Sequence, residues 1–259
     1  MDGTLVTPDK TLTPRAIAAV GRLGRAGIGF SLISARPPRG MASVAKILDV
    51  RLPVAAFNGG ALVAADRRLL RALPLAPDLA RGALALLAAR GVDVWVFAGD
   101  DWRLRDPGGV KVDRERRTVG FDPVAVAGFE DVIGGIDKIV GVSEDYALLK
   151  GAEAEAQALW GQAATIQCSQ PYYLDITHKG ANKGDGVTAL CAQIGVDLAH
   201  TAVIGDMFND VAMFKVAGFS IAMGQAPQAV KDQARAVTGA NTEDGFAEAV
   251  ERLLRARGG

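Results

Sequence analysis

The stretch Val203-Ile204-Gly205-Asp206-Met207-Phe208-Asn209-Asp210 decides how the chain is read. A short apolar run ends in glycine and then presents Asp206, Asn209 and Asp210 within five residues. Apolar runs this short suit strands buried on both faces of a parallel sheet. In open α/β sheets, ligands bind outside the carboxyl ends of the strands. Carboxylates gathered at such an end suit a hard cation such as Mg²⁺, which takes oxygen ligands and keeps part of its water. A helix cap at Asp206 beside two solvated neighbours is the plainer reading. Three oxygen-bearing side chains on one strand tip weigh against it.

Working outward, the same rhythm surrounds this strand. Gly184 to Ile194 reads as a helix before it. Val211 to Val216 (helix), Phe219 to Ala222 (strand), Ala226 to Ala234 (helix), Ala236 to Thr238 (strand) and Glu243 to Leu254 (helix) follow. The first third behaves likewise. Thr13-Pro14 pairs an N-cap with proline in the first helical turn, and the helix runs towards Gly27. Ile28 to Ile33 and Val54 to Phe57 read as strands, with a helix near Met41 to Leu48 between them. Alternation of this kind predicts a doubly wound, Rossmann-like α/β sheet, mostly parallel.

The middle differs. Leu79 to Arg90 and Glu144 to Gln157 read as helices and Asp137 to Val142 as a strand. Two hairpins are predicted, one around Ala98-Gly99-Asp100 and one around Ser169-Gln170-Pro171. The expected organisation is therefore a discontinuous core, 1–77 and 181–259, with an inserted α+β domain, 78–180.

Composition narrows the function classes. The chain has 259 residues, 49% of them apolar, with 29 basic and 29 acidic side chains. Zero formal net charge disfavours a nucleic-acid binder that works through bulk positive charge. The apolar fraction disfavours a disordered chain. Cys168 and Cys191 are too few for a disulfide framework and read as reduced thiols. No stretch is long and apolar enough to predict a membrane span, and the start, Met1-Asp2-Gly3-Thr4-Leu5, has no signal-peptide pattern. These features predict a cytoplasmic protein, monomer or homodimer, without membrane or nucleic-acid partners.

Three further signals lie at predicted strand ends. Asp2-Gly3-Thr4-Leu5 alone would be a turn. Ser34, in Ile33-Ser34-Ala35-Arg36-Pro37, could hold a phosphate oxygen together with the backbone amides that follow it, or could cap a helix. Lys183 opens a helix and could bring its charge to an anion there, although most lysines are simply exposed. One architecture carries all four segments to the same sheet edge.

In this order the segments resemble the motifs of the haloacid dehalogenase superfamily of phosphohydrolases. The resemblance covers essentially the whole chain. Asp2-Gly3-Thr4-Leu5 is similar to the end of that family's first motif, Asp-x-Asp-Gly-Thr-Leu, and Ser34, Lys183 and Gly205-Asp206 with Asn209-Asp210 are similar to the second, third and fourth. The middle segment resembles the class II, subtype B cap of Cof-type sugar phosphatases. So do the phrases Phe57-Asn58-Gly59-Gly60, Ala222-Met223-Gly224-Gln225-Ala226 and Asn241-Thr242-Glu243-Asp244-Gly245.

The resemblance implies Mg²⁺-dependent hydrolysis of a small phosphorylated metabolite, a sugar phosphate, through an aspartyl-phosphate. It implies that Asp2 is the acid–base residue and offers its carbonyl to the metal. Asp206 is implied as a carboxylate ligand, and Asp210 as a metal support, direct or through water. Ser34, Ala35, Arg36, Asn58, Asn209 and Lys183 are implied as phosphate- or substrate-binding groups. In this alignment the nucleophilic aspartate falls one residue before Met1, at the end of an apolar strand, so a start further upstream is expected. A non-catalytic binder of a phosphorylated ligand is one alternative. A phosphomutase is another, less favoured because it needs a second phosphate site and the basic run Arg114-Glu115-Arg116-Arg117 reads rather as a solvated face.

Overall fold

The structure is a computed structural model and describes residues 1–258. The chain divides into two compact units. One comprises Met1–Ala35, Met41–Leu70 and the chain from Asn182 onward; the other comprises Arg36–Gly40 and Arg71–Ala181. In chain order the elements are α1 (Pro14–Arg25), α2 (Ala42–Ile47), β1 (Val54–Ala56), β2 (Ala61–Val63) and β3 (Leu69–Ala72). Then come α3 (Pro77–Ala89), β4 (Asp93–Ala98), β5 (Asp101–Leu104), α4 (Val112–Val119), β6 (Val124–Ala125), β7 (Lys138–Val142), α5 (Tyr146–Trp160), β8 (Ala164–Gln170) and β9 (Tyr173–His178). The last stretch holds α6 (Lys183–Ile194), β10 (Ala202–Gly205), α7 (Val211–Val216), β11 (Phe219–Ala222), α8 (Gln228–Lys231), β12 (Ala236–Val237) and α9 (Gly245–Gly258).

In the first unit, β10, β11 and β12 form a parallel sheet with Val203 opposite Ser220 and Ile221 opposite Ala236. Helices α6 and α7 cover it: Val187, Cys191, Met213 and Phe214 pack with Val203 and Ala222. Helix α1 starts where Thr13 predicts it. The Thr13 hydroxyl accepts from the Ala16 amide, Pro14 occupies the first turn, and Ala16, Ala19, Val20 and Leu23 make a buried stripe at helical spacing. Among the described residues no helix is long and apolar enough to cross a membrane.

Several expectations fail locally. The predicted strand from Ile28 to Ile33 shrinks to one parallel bridge, Ile33 with Ala55. The Ser34 amide donates to the Ala55 carbonyl and the Leu32 carbonyl accepts from the Ala55 amide, while the Ser34 carbonyl accepts from Asn58 beyond β1. Helix α8 is shorter than predicted. Strands β2 and β3 continue β1 as an antiparallel meander that was not predicted, and α4 forms within the basic run.

The second unit is one sheet in the order β6-β5-β4-β7-β9-β8, antiparallel except for β5 with β6. Both predicted hairpins are present. Period-2 alternation turns Val96, Ile139, Ile166, Leu174 and Ile176 to one apolar cluster with Leu79, Ala83 and Leu87 of α3 and Leu149, Ala152 and Ala156 of α5. Cys168 and Cys191 are both free thiols.

Candidate active site

The site is built at the carboxyl end of β10. Gly205 is required there because a Cβ would lie 2.5 Å from the Asp210 side chain. The chain turns so that one Asp210 oxygen accepts from the Asp206 and Met207 amides, at 2.8 and 2.9 Å. The other Asp210 oxygen accepts from Lys183 Nζ at 2.5 Å. Both side chains of this ion pair are deeply buried, with 7% and 3% of their surface exposed. A buried pair is costly to assemble and costly to break, which separates Lys183 from surface lysines. Asn182 caps α6 by accepting from the Asp185 amide, and so fixes where Lys183 leaves the helix.

Asp206 is buried, and its Oδ1 accepts from the Thr4 hydroxyl at 2.7 Å. Gly3 makes this approach feasible. Its φ is +69°, and a Cβ would fall 2.2 Å from Asp206 Oδ2. Gln225 donates its side-chain amide to the Gly3 carbonyl, and Asn241 donates to the Val6 carbonyl at 3.0 Å. Thr4, Gln225 and Asn241 thus hold the first loop in place. The Met1 amino group is buried beside Lys183, Asp210, Asp2 and Asp206.

Electrostatics distinguishes the two carboxylates. Burial, with the nearby Asp210 charge adding to it, raises the Asp206 carboxyl above its ordinary value, and the Thr4 bond only partly opposes this. Burial also pushes Asp210 upward. The Lys183 ammonium and the amide bonds outweigh it and hold the Asp210 carboxyl low.

The other predicted residues are placed unevenly. Asn209 donates to Asn58 Oδ1 at 3.2 Å. Asn58 sits in the left-handed region with φ +57°, and its backbone amide donates to the Ser34 carbonyl at 2.7 Å. Ser34 is buried and does not cap a helix, since α2 begins eight residues later. Arg36 belongs to the second unit, where its guanidinium donates to the Gly40 carbonyl at 3.2 Å. Ala35 is half-buried next to it. The Asp2 carboxylate pairs with Lys10 at 2.8 Å, with about a third of each side chain exposed. Within α4, Arg116 pairs with Asp113 and Asp122, and Arg114 lies over the Tyr172 ring. His178 accepts from the Gly180 amide and shapes the turn at the end of β9.

An oxygen-only donor set at a strand end is what Mg²⁺ uses, commonly with one or two carboxylates completed by substrate and water. Asp206 fits such a ligand: it is a buried carboxylate, and among the described residues no side chain forms an ion pair with it. Both Asp210 oxygens are engaged by Lys183 and backbone amides, which suits an outer position. Among the described residues no three His, Cys, Asp or Glu side chains converge as a metal cage.

A buried lysine–aspartate pair and a second buried carboxylate at the carboxyl edge of a parallel sheet are what an α/β phosphohydrolase would use. Comparison with known proteins bears this out. The chain belongs to the haloacid dehalogenase-like hydrolase family, whose model matches residues 1–250. A Haemophilus influenzae protein that carries a provisional phosphatase name is 30% identical over 258 residues, covering 96% of this chain and 94% of that one. Pyridoxal phosphate phosphatase YbhA of Escherichia coli is 25% identical over 260 residues, with the same coverage. The crystal structure of a haloacid dehalogenase-like hydrolase from Bacteroides thetaiotaomicron superposes with a TM-score of 0.90 at 26% identity, covering 97% of this chain and 96% of that one. The enzyme class is thus that of a phosphatase.

Proposed function

We propose that the chain serves Mg²⁺-dependent hydrolysis of a small phosphorylated metabolite, with a sugar phosphate as the favoured class. The observation that carries this reading is the buried Lys183–Asp210–Asp206–Thr4 cluster beyond β10. Asp206 and the Asp2 carbonyl are assigned to hold the cation, with Asp210 behind them. When bound, Mg²⁺ supplies positive charge that offsets the charge of the phosphoryl oxygens. Lys183 is assigned the same electrostatic task at a second oxygen. Ser34, with the Ala35 and Arg36 amides, and Asn58, oriented by Asn209, are assigned to the remaining phosphate oxygens.

The nucleophile is assigned to an aspartate immediately before Met1. Its carboxylate oxygen bonds to phosphorus as the ester P–O bond breaks, and Asp2 gives its proton to the leaving oxygen. Asp2 then takes a proton from water. The resulting hydroxide attacks phosphorus, the acyl-phosphate P–O bond breaks, and phosphate and the carboxylate are released. Residues 78–180 are assigned as the cap that selects the leaving group. We place the protein in the cytoplasm as a monomer or homodimer.

The test is phosphate release from p-nitrophenyl phosphate and a panel of sugar phosphates, with the chain extended by an apolar strand ending in aspartate. Activity should require Mg²⁺ and vanish with EDTA. Asp206→Asn should lower the rate by on the order of a hundredfold. Turnover that is unaffected by EDTA and by Asp206→Asn overturns the assignment.

A further inference from the structure

The loop that follows Ser34 changes units. Ser34 itself is fixed in the first unit: its amide donates to the Ala55 carbonyl, and its carbonyl accepts from the Asn58 amide. Two residues later the chain leaves. Arg36–Gly40 pack as part of the second unit, and from Met41 the chain is back in the first.

This five-residue loop is stiff. Pro37 and Pro38 each lock φ. The Gly40 amide donates to the Pro37 carbonyl at 3.0 Å, and the Arg36 guanidinium donates to the Gly40 carbonyl at 3.2 Å. The loop is thus closed on itself.

Its seat is the end of α4. Gly120, at φ +81°, terminates that helix, and its amide donates to the Arg116 carbonyl. The residues on either side of Gly120 meet the loop. A Cβ on Gly40 would come within 3.2 Å of the Val119 carbonyl oxygen, so the two backbones are close. The Arg39 guanidinium lies 4.5 Å from the centroid of the Phe121 ring. The ring is buried and the arginine exposed. A cation over a ring face is attracted by the ring quadrupole.

A stiff loop moves as one body. Its first residue follows Ala35, and the Ala35 and Arg36 amides are those assigned above, with the Ser34 hydroxyl, to phosphate oxygens. Whatever seats the loop therefore sets where these amides point. Misplacement of such groups by about 1 Å is costly even when its cause lies far from the chemistry.

We propose that Phe121 is a positioning residue for phosphate. With Arg39 and Gly40 held against the end of α4, the second unit sets the affinity of the Ser34 loop for a phosphoryl group, acting through the loop. The proposal rests on the assignment of that loop to phosphate, and its test separates the two.

Binding of inorganic phosphate in the presence of Mg²⁺ is measured by calorimetry, together with the melting temperature, for the parent chain and its variants. Arg39→Ala should weaken phosphate by about two- to fivefold, the worth of one exposed cation–π contact. Phe121→Leu keeps the core filled and the arginine charge in place but removes the ring, and should weaken phosphate equally. The double variant should be no worse than either single one. Gly40→Ala, which forces the loop off the Val119 carbonyl, should weaken phosphate further. Loss in Arg39→Ala alone, as removal of any charge near an anion would give, overturns the proposal. So do additive losses in the double variant, and so does a lowered melting temperature with unchanged affinity. Ser34→Ala tests the reading underneath: unchanged affinity in that variant, or no phosphate binding by the parent, removes the loop from phosphate, and the proposal falls with it.

Discussion

The two units solve the same problem, burying an apolar sheet, with different completeness. In the second, six strands make one ladder, and α3 and α5 close its apolar face over Val96, Ile139, Leu174 and Ile176. In the first, the parallel β10-β11-β12 sheet and the Leu32–Ser34 edge on β1 face a common cleft without joining. The difference teaches where the free energy of each unit resides. The antiparallel unit rests on apolar burial. The first unit divides its apolar burial among smaller clusters and adds polar clamps around Asp206 and Asp210, with part of its apolar surface against the cleft.

The largest expected effect is therefore in local opening. Amides of β4, β7 and β9 should exchange at least about a hundredfold more slowly than those of Leu32–Ser34 and β10. Exchange at equal rates in the two sheets breaks the comparison.

Next in size is Lys183→Ala. It strands the buried Asp210 carboxylate, and removing one partner of such a pair typically costs about 3–5 kcal/mol. Urea unfolding followed through probes in each unit should show the loss in the first unit, with the second nearly unmoved. Loss of activity without loss of stability would mean that the ion pair does not hold the first unit together.

A matched pair of core truncations sharpens the contrast. Ile176 is fully buried in the second unit, and Ile176→Ala should cost about 2–5 kcal/mol. Ile204 lines the cleft and is already half-buried, so Ile204→Ala should cost less than about 1.5 kcal/mol. Equal losses would mean that the cleft packs as tightly as a core.

Much of this organisation was legible in the sequence, for identifiable reasons. Strand β10, the cap at Thr13, the start of α6 at Lys183 and both hairpins rest on local signals: an apolar run, a hydroxyl before proline, a turn dipeptide. The short strands β2 and β3 lack a local signal, since Leu69 to Ala72 is half exposed and takes its shape from its neighbour. Helix α4 was hidden in a charged run, of which Arg116 is held by Asp113 and Asp122. The cluster of Asp206, Asp210 and Lys183 was anticipated from strand-end chemistry. Thr4, Gln225 and Asn241 were not named for their roles, because side chain to loop contacts between residues more than two hundred positions apart leave no periodic trace. The predicted strand at Ile28 to Ile33 failed because a β-strand is defined by its neighbours, and on one side this segment meets the cleft.

The smallest expected effect concerns pH in the second unit. Asp137 is buried at the entry to β7, where its carboxylate accepts from the Gly99 amide at 2.7 Å. Burial raises its carboxyl above the ordinary 3.8, and the Gly99 bond opposes this without cancelling it. The folded unit therefore holds this proton more tightly than the unfolded chain does. The resulting stability is fully present below the unfolded value and is lost as pH rises through the folded one. Asp137→Asn keeps an acceptor for Gly99 and removes the titration. Relative to the parent, the variant should gain stability as pH climbs from about 4 towards 7, read by urea midpoints from second-unit probes. The same scan on first-unit probes should show no difference between parent and variant. A midpoint difference that stays constant across the range would mean that Asp137 does not titrate with folding.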